Sequence, residues 1–179
     1  MLEVVMEWLF SLRSQRFRAF RTAKQAYEDY VATNLAQRGI GFDGLNDEGF
    51  AVARRDATLT GAVENYRAAI NGCREDNAIT DLATARYQLG MLHHLRGEFA
   101  EAECQLCAAL AMLGDIIELT RSRRQTISGC HYHLGIIAWR RGNTNEAIER
   151  LEQSLEIDAK IIDLQGESLT RRALERVRS

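Results

Sequence analysis

At 179 residues the chain suits one domain or one elongated repeat array. Apolar residues at 46% and charged residues at 27% allow a real core, and a net charge of −2 argues against a general affinity for nucleic acid or anionic membrane. Proline is absent, and with abundant Ala, Leu, Glu, Arg and Gln the composition reads as all-helical.

Residues 1–37 predict an N-terminal amphipathic helix. Leu2, Val5, Leu9, Leu12, Arg16, Phe20, Tyr27 and Val31 hold to one stripe, with Trp8, Phe10 and Phe17 beside it. Arg13, Arg16, Arg18, Arg21 and Lys24 cluster in its middle, opposed by Glu3, Glu7, Glu28 and Asp29. The expected role is packing against the first repeat; a homodimer or partner contact comes next, and membrane-surface binding last. Glu3 and Glu7 within the apolar stretch, and no basic lead-in, argue against a secretory signal. Arg13 breaks the run far short of the ~20 residues a bilayer span needs. A cytoplasmic protein with reduced thiols is therefore expected. Residues 38–46, with three glycines, read as a linker.

A repeat array is expected over 47–179. Its first unit, 47–73, is degenerate: "NDEGFAVARRDA" (46–57) stands as a first helix, and "TGAVENYRAAI" (60–70) as a second, with Ala62, Tyr66, Ala69 and Ile70 at helical offsets. Two clear copies follow at 83–119 and 128–163. "YQLGMLHHLRGEFAEA" (87–102) returns as "YHLGIIAWRRGNTNEA" (132–147), 45 residues later. In the first copy a helix stops near Gly97, where a left-handed residue turns the chain. Phe99, Ala102, Leu106, Ala109, Leu110, Leu113 and Ile117 then stripe a second helix. In the other copy the stop is Gly142 and the stripe is Ala147, Ile148, Leu151, Leu155 and Ile162, with Asn143 and Glu146 as a near match to a capping box.

Gly90 and Gly135 stand inside helices, where glycine costs ~1 kcal/mol relative to alanine. Their recurrence predicts a close approach of two helices, with Ala102 and Ala147 as small partners. A capping helix is expected over 167–178, with Leu174 in the leucine position and Glu175 where glycine stood, as suits a solvent-facing end. The acidic middle (41–120, net −7) and mildly basic end (121–179, net +3) bias partner choice without naming a partner.

Leu89-Gly90, Gly97, Phe99, Ala102, Leu106 and Ala109-Leu110 resemble the tetratricopeptide repeat, as do Leu134-Gly135, Gly142, Ala147, Leu151 and Leu155. The early Trp of that family is Arg86 and His131 here, its closing proline is missing, and Ser154 stands where alanine is usual. The 45-residue spacing exceeds the usual one of about 34 and would lengthen the helices by about 16 Å in total. In this the chain resembles the long-repeat branch, which includes kinesin light chains and bacterial regulators with helical sensor arrays. The resemblance implies an all-α fold: a right-handed α-solenoid of antiparallel helix pairs with an N-terminal helix and a C-terminal capping helix.

Chemistry-bearing residues are few. Cys104 and Cys107 face one side of a helix, so joint metal ligation is geometrically conceivable. The pair lies beyond the first turn, however, where the helix dipole lowers a thiol pKa. With Cys73 and Cys130 standing alone, the cysteines are read as small buried hydrophobes. A zinc site from His93, His131 or His133 with a cysteine competes with a simpler role for His93 and His131 in packing between helices, and no acidic partner is evident. No phosphate-cradling glycine loop, nucleophile elbow or metalloprotease helix occurs. No enzyme, metal or cofactor is expected.

The resemblance implies instead that the face of each first helix opposite its packing side lines a concave groove for a partner peptide. That face is Thr84, Tyr87, Gln88, Met91, His94 and Leu95 in one copy, and Tyr132, Ile136, Trp139 and Arg140 in the other. Aromatic, Met and Arg side chains are types enriched at binding hot spots, and Tyr87 and Tyr132 recur although they lie on the wall. The expected function is a non-enzymatic protein–protein interaction module that binds a peptide or helix of a partner. The alternative is a regulatory sensor array that changes conformation on binding a short peptide or small ligand. An N-terminal helix lying across the wall is the competing arrangement.

Overall fold

A computed structural model describes residues 2–35, 41–75, 79–114 and 120–179, with side chains at 18–35, 41–71, 79, 81–114 and 120–179. All elements among these residues are helical. They are α1 (Leu2–Asn34), a 3-10 helix (Phe42–Gly44), α2 (Asp47–Arg55), α3 (Ala57–Glu75), α4 (Ile79–Leu95), α5 (Phe99–Gly114), α6 (Arg121–Arg140), α7 (Thr144–Ile161) and α8 (Leu164–Arg178). Among the described residues no helix is long and apolar enough to cross a membrane.

Three hairpins build the array. Arg86 of α4 donates to Gln105 of α5 at 2.8 Å, while Gly90 faces Ala102 and Leu106 nearer the turn, so the two helices run antiparallel. Ser128 of α6 meets Ser154 of α7, and Ser154 in turn meets Thr170 of α8, which gives the same sense to the next two pairs. Neighbouring helices pack in succession, as in a tetratricopeptide-like solenoid. The core is correspondingly divided: one cluster joins α1 to α4, one lies between α5 and α6, and one joins α6 to α8.

The repeated glycines do what their recurrence predicts. A Cβ on Gly90 would lie 2.7 Å from Leu106 Cγ and 3.3 Å from the Ala102 carbonyl oxygen. On Gly135 it would lie 2.8 Å from Leu151 Cγ and 3.2 Å from the Ala147 oxygen. The bare helix face receives a buried leucine, and the alanine lets the backbones close.

Gly97 (φ 70°) and Gly142 (φ 81°) are left-handed, and each ends its helix in a Schellman motif. Glu98 N donates to His93 O and Gly97 N to His94 O; Asn143 N to Ala138 O and Gly142 N to Trp139 O. Asn143 was expected to cap α7, but its side chain makes no capping bond. It already belongs to the preceding turn, and its backbone (φ −86°, ψ 65°) is not the extended one that aims a capping oxygen at the helix.

A third Schellman turn closes α7, with Asp163 N on Asp158 O, and here the left-handed residue is Ile162 (φ 56°). A β-branched residue in this region is strained by about 1–2 kcal/mol. Ile162 is also 73% exposed, so its side chain recovers little by burial. Ile162→Gly should therefore raise unfolding stability by about 1 kcal/mol, measured by urea denaturation.

The N-terminal end differs from expectation in its pairing. α2 and α3 were read as one helix pair, but α3 packs chiefly along α1 and α4. The nine-residue α2 lies instead over the α4–α5 turn, where Phe50 stacks edge-on against Phe99 at 5.3 Å and Arg54 donates to Arg96 O. With only Phe50 and Ala53 buried, α2 has too little apolar surface to line the length of α3. Phe20, Tyr27 and Val31 of the predicted α1 stripe pack on the core, and Ala23 and Tyr30 join them; the stripe residues before 18 lie outside the described side chains. α8 begins at Leu164, three residues before the predicted capping helix, because Asp163 caps it by accepting from Gly166 N at 3.0 Å. Glu175 is exposed, and Ala173, Leu174 and Val177 are buried.

Candidate functional site

Between α1 and the face of α4 and α6 that turns away from α5 and α7 lies a cavity of about 770 Å³. Its apolar floor comes from Phe20, Tyr27, Val31 and Leu35 of the N-terminal segment and from Tyr87, Met91 and Tyr132 across it. Gly41 and Phe42 close one side, and Asp158, Leu169 and Thr170 of α7 and α8 another. Lys24, Ser122, Gln125, Gln165 and Arg172 also line it and are exposed, so the mouth is polar and opens to solvent there.

Five of the ten groove residues meet in this cavity: Thr84, Tyr87, Gln88, Met91 and Tyr132. Tyr87 reaches it over Gly129, whose Cβ would fall 2.6 Å from Tyr87 Cζ; α6 is bare at the point where α4 extends this ring. Gln88 accepts from Tyr66 at 3.0 Å, and Met91 sulfur accepts from the Tyr27 hydroxyl at 3.8 Å, which ties α1 to the wall. Burial holds the Tyr27, Tyr87 and Tyr132 hydroxyls far above the usual phenol pKa, so they stay neutral.

The other five lie elsewhere. His94, Leu95 and Ile136 are fully buried. His94 packs under the ring of Phe42 (5.1 Å between centroids) and shares a 3.0 Å Nδ1–Nδ1 hydrogen bond with His133. Trp139 and Arg140 are half-buried at the end of α6. The Arg140 guanidinium donates to the carbonyl oxygens of Phe42 and Leu45 and lies 4.8 Å over the Phe50 ring. Part of the segment expected as a linker is thus seated on the wall itself, and Asp43 anchors it further through Arg176 of α8 at 3.0 Å. Residues 36–40 of the expected helix and linker lie outside the described residues.

Two readings of reactive residues change. Cys104 and Cys107 are exposed rather than buried, because the buried stripe of α5 runs through Ala102, Leu106, Ala109 and Leu113 on the opposite side; Cys130 is buried as expected. His93 does have an acidic partner: the turn at Gly97 returns Glu98 to within 2.6 Å of His93 Nδ1. Hydrogen bonds from His93 and Arg96 then outweigh burial and lower the Glu98 pKa. Among the described residues no three His, Cys, Asp or Glu side chains gather as a metal would require.

The sequence reading missed a polar cluster at the Asp158 end. Ser128 donates to Asp158 and lies 3.0 Å from Ser154 Oγ, which lies 3.3 Å from Thr170 Oγ1. All four residues are buried. The available signal was spacing, since Ser154 and Asp158 interrupt an otherwise apolar stripe of Ala147, Leu151 and Ile161 on α7.

A family model described as tetratricopeptide repeat matches residues 83–103, which cover α4 into α5, and residues 128–153, which cover α6 into α7. No curated protein and no solved structure matches the chain. Tetratricopeptide repeats generally mediate protein–protein interactions and are typically non-enzymatic. With these two copies folded as successive antiparallel hairpins, the matched segments are similar to tetratricopeptide repeats in sequence and in fold.

Proposed function

We propose that the chain is a non-enzymatic interaction module that receives a peptide or helical segment of a partner protein between α1 and the wall of α4 and α6. The observation that carries this reading is the cavity of about 770 Å³, with an aromatic floor and a polar mouth, in the 300–1,000 Å³ range typical of ligand pockets. The wall stands on hairpins locked by Gly90 and Gly135, so a ligand would not need to order it first. In this reading α1 covers the groove, residues 41–45 enter it, and the helices from Asp47 onward form the array. Exposed free thiols at Cys104 and Cys107 suit a reducing cytoplasm.

The test is Ser122→Trp, which places an indole at the exposed mouth and leaves the core untouched. Affinity for peptides selected from a random library should fall at least tenfold, by fluorescence polarisation, with an unchanged melting temperature. Undiminished affinity would place the partner site elsewhere.

One observation favours the sensor reading as well. α1 and residues 41–45 cover the inner wall through polar ties that include Tyr27 to Met91, Arg140 to two carbonyls, and Asp43 to Arg176. A ligand that needed the deeper wall would have to displace them, and small-angle scattering with bound peptide would record the change. α1 is also where a second copy would dock in a homodimer, which sedimentation equilibrium decides.

A further inference from the structure

Packing does not account for one end of the cavity. Asp158 is 3% exposed, on the buried stripe of α7. Its carboxylate accepts from the Ser128 hydroxyl and, at 3.5 Å, from the Thr170 hydroxyl. An ionised carboxylate offers about four acceptor positions, so two are left unused, and both donors are neutral. The charged groups that bear on it most, Asp163 and Glu167, are acidic. Burial raises its pKa, and the Ser128 and Thr170 donors act against that rise. The first turn of α8 closes over it, a Cβ on Gly166 falling 2.9 Å from Asp158 Cγ, so the partial positive charge of a helix N-terminus gives some compensation. A buried carboxylate is ordinarily paired with a cation, and among the described residues no Lys or Arg forms an ion pair with this one.

The open side of Asp158 is the cavity. Tyr27, Tyr87 and Tyr132 line the same cavity. A buried carboxylate in a cavity that tyrosines also line attracts an organic cation by a charge-assisted hydrogen bond, and a ring quadrupole adds to the attraction. The cavity's own basic residues are engaged or peripheral: Lys24 pairs with Glu28 at 3.5 Å, and Arg172 is exposed at the mouth.

We propose that the Asp158 end of the cavity is a subsite for an ammonium or guanidinium group of the bound peptide, its free N-terminus or a Lys or Arg side chain. The proposal rests on reading the cavity as the peptide groove, and it adds the chemistry that the groove selects. Asp158 accepts two hydrogen bonds from the cation on its unused lone pairs, Ser128 and Thr170 hold the carboxylate in place, and the tyrosines of the cavity supply an aromatic lining.

Three pentapeptide pools test it: free N-termini without Lys or Arg, N-acetylated with Lys and Arg, and N-acetylated without either. Retention on the wild-type chain is read by mass spectrometry, and n-butylammonium is added as a small probe in thermal shift. The first or second pool should be retained and the third lost, and which of the two is retained identifies the source of the cation. Asp158→Asn, which keeps the shape and one acceptor oxygen, should weaken retained peptides at least tenfold. Leu169→Lys, which tethers a competing cation at the half-buried cavity edge, should do the same should the Asn variant fold poorly. Equal retention of all pools, or variants that bind like wild type, would overturn the subsite and leave the groove reading standing. Binding of n-butylammonium to wild type but not to Asp158→Asn, with no peptide retained, would keep the subsite and overturn the peptide groove. Absence of both kinds of binding overturns both.

Discussion

Gly135→Ala and Leu151→Ala are each expected to destabilise the chain, and combined they are expected to cost clearly less than their sum. Leu151 is fully buried, and truncating such a leucine costs about 2–5 kcal/mol through lost transfer energy and the cavity left behind. The Gly135 substitution fails for the opposite reason. Its methyl would press on Leu151 Cγ at 2.8 Å, an overpacking cost of about 1–3 kcal/mol, and the better helix propensity of alanine returns only about 1 kcal/mol. In the double variant the methyl enters space that the leucine has vacated. Urea denaturation should show a coupling of at least ~1 kcal/mol; strict additivity would mean that the notch at Gly135 is not filled by Leu151. Gly90 with Leu106 provides the same cycle in the neighbouring hairpin.

Mild acid is expected to unfold the chain well before its carboxylates protonate. Burial lowers the His133 pKa to about 3 and, with His133 and Arg140 as further causes, holds that of His94 well below 6.5. Both rings face Phe42, His94 also faces Phe99, and the His94 Nε2 has no partner, so the site offers an incoming proton no counter-charge. A depressed histidine pKa means that the unfolded chain takes up protons the folded chain refuses. The stabilisation is complete above pH 6.5 and is lost as pH falls toward 3. Between pH 6.5 and 5 this amounts to on the order of 2 kcal/mol for His133 alone. The lowered pKa values of Glu98 and Asp163 act only below 4.5, and Asp158, whose pKa is raised, contributes with the opposite sign. A melting temperature that falls steeply from pH 6.5 to 5, and less steeply in His133→Phe, is the expected result. A flat profile across that window would mean that water reaches the pair.

What was legible in the sequence was what the chain wrote twice. Gly90 and Gly135, Gly97 and Gly142, and the leucine stripes each carry a local constraint, and repetition separates constraint from accident. The inner wall was half legible for the same reason: Tyr87 and Tyr132 could be set on one face by register alone, and both line the cavity. What covers that wall occurs once. The seating of Phe42 depends on residues 52 and 91 positions away, and the hold of Arg140 on Leu45 spans 95. No periodicity encodes such a contact. Asp158 drew no reading from the sequence, although its interval from Leu151 and Ser154 sets it on the inner stripe. Asn143 misled because two turn chemistries compete for one residue, and the glycine turn takes its backbone.

The short segment from Phe42 to Leu45 has a mechanical consequence. A row of helical hairpins ordinarily feels only its neighbours, so that it can fray from either end. Here one strap lies against His94 of α4, His133 and Arg140 of α6 and Arg176 of α8 at once. The terminal hairpin cannot peel away without pulling that clasp from the middle of the molecule. The chain is built like a row but fastened like a bracelet, and whatever loosens the clasp loosens all its links together.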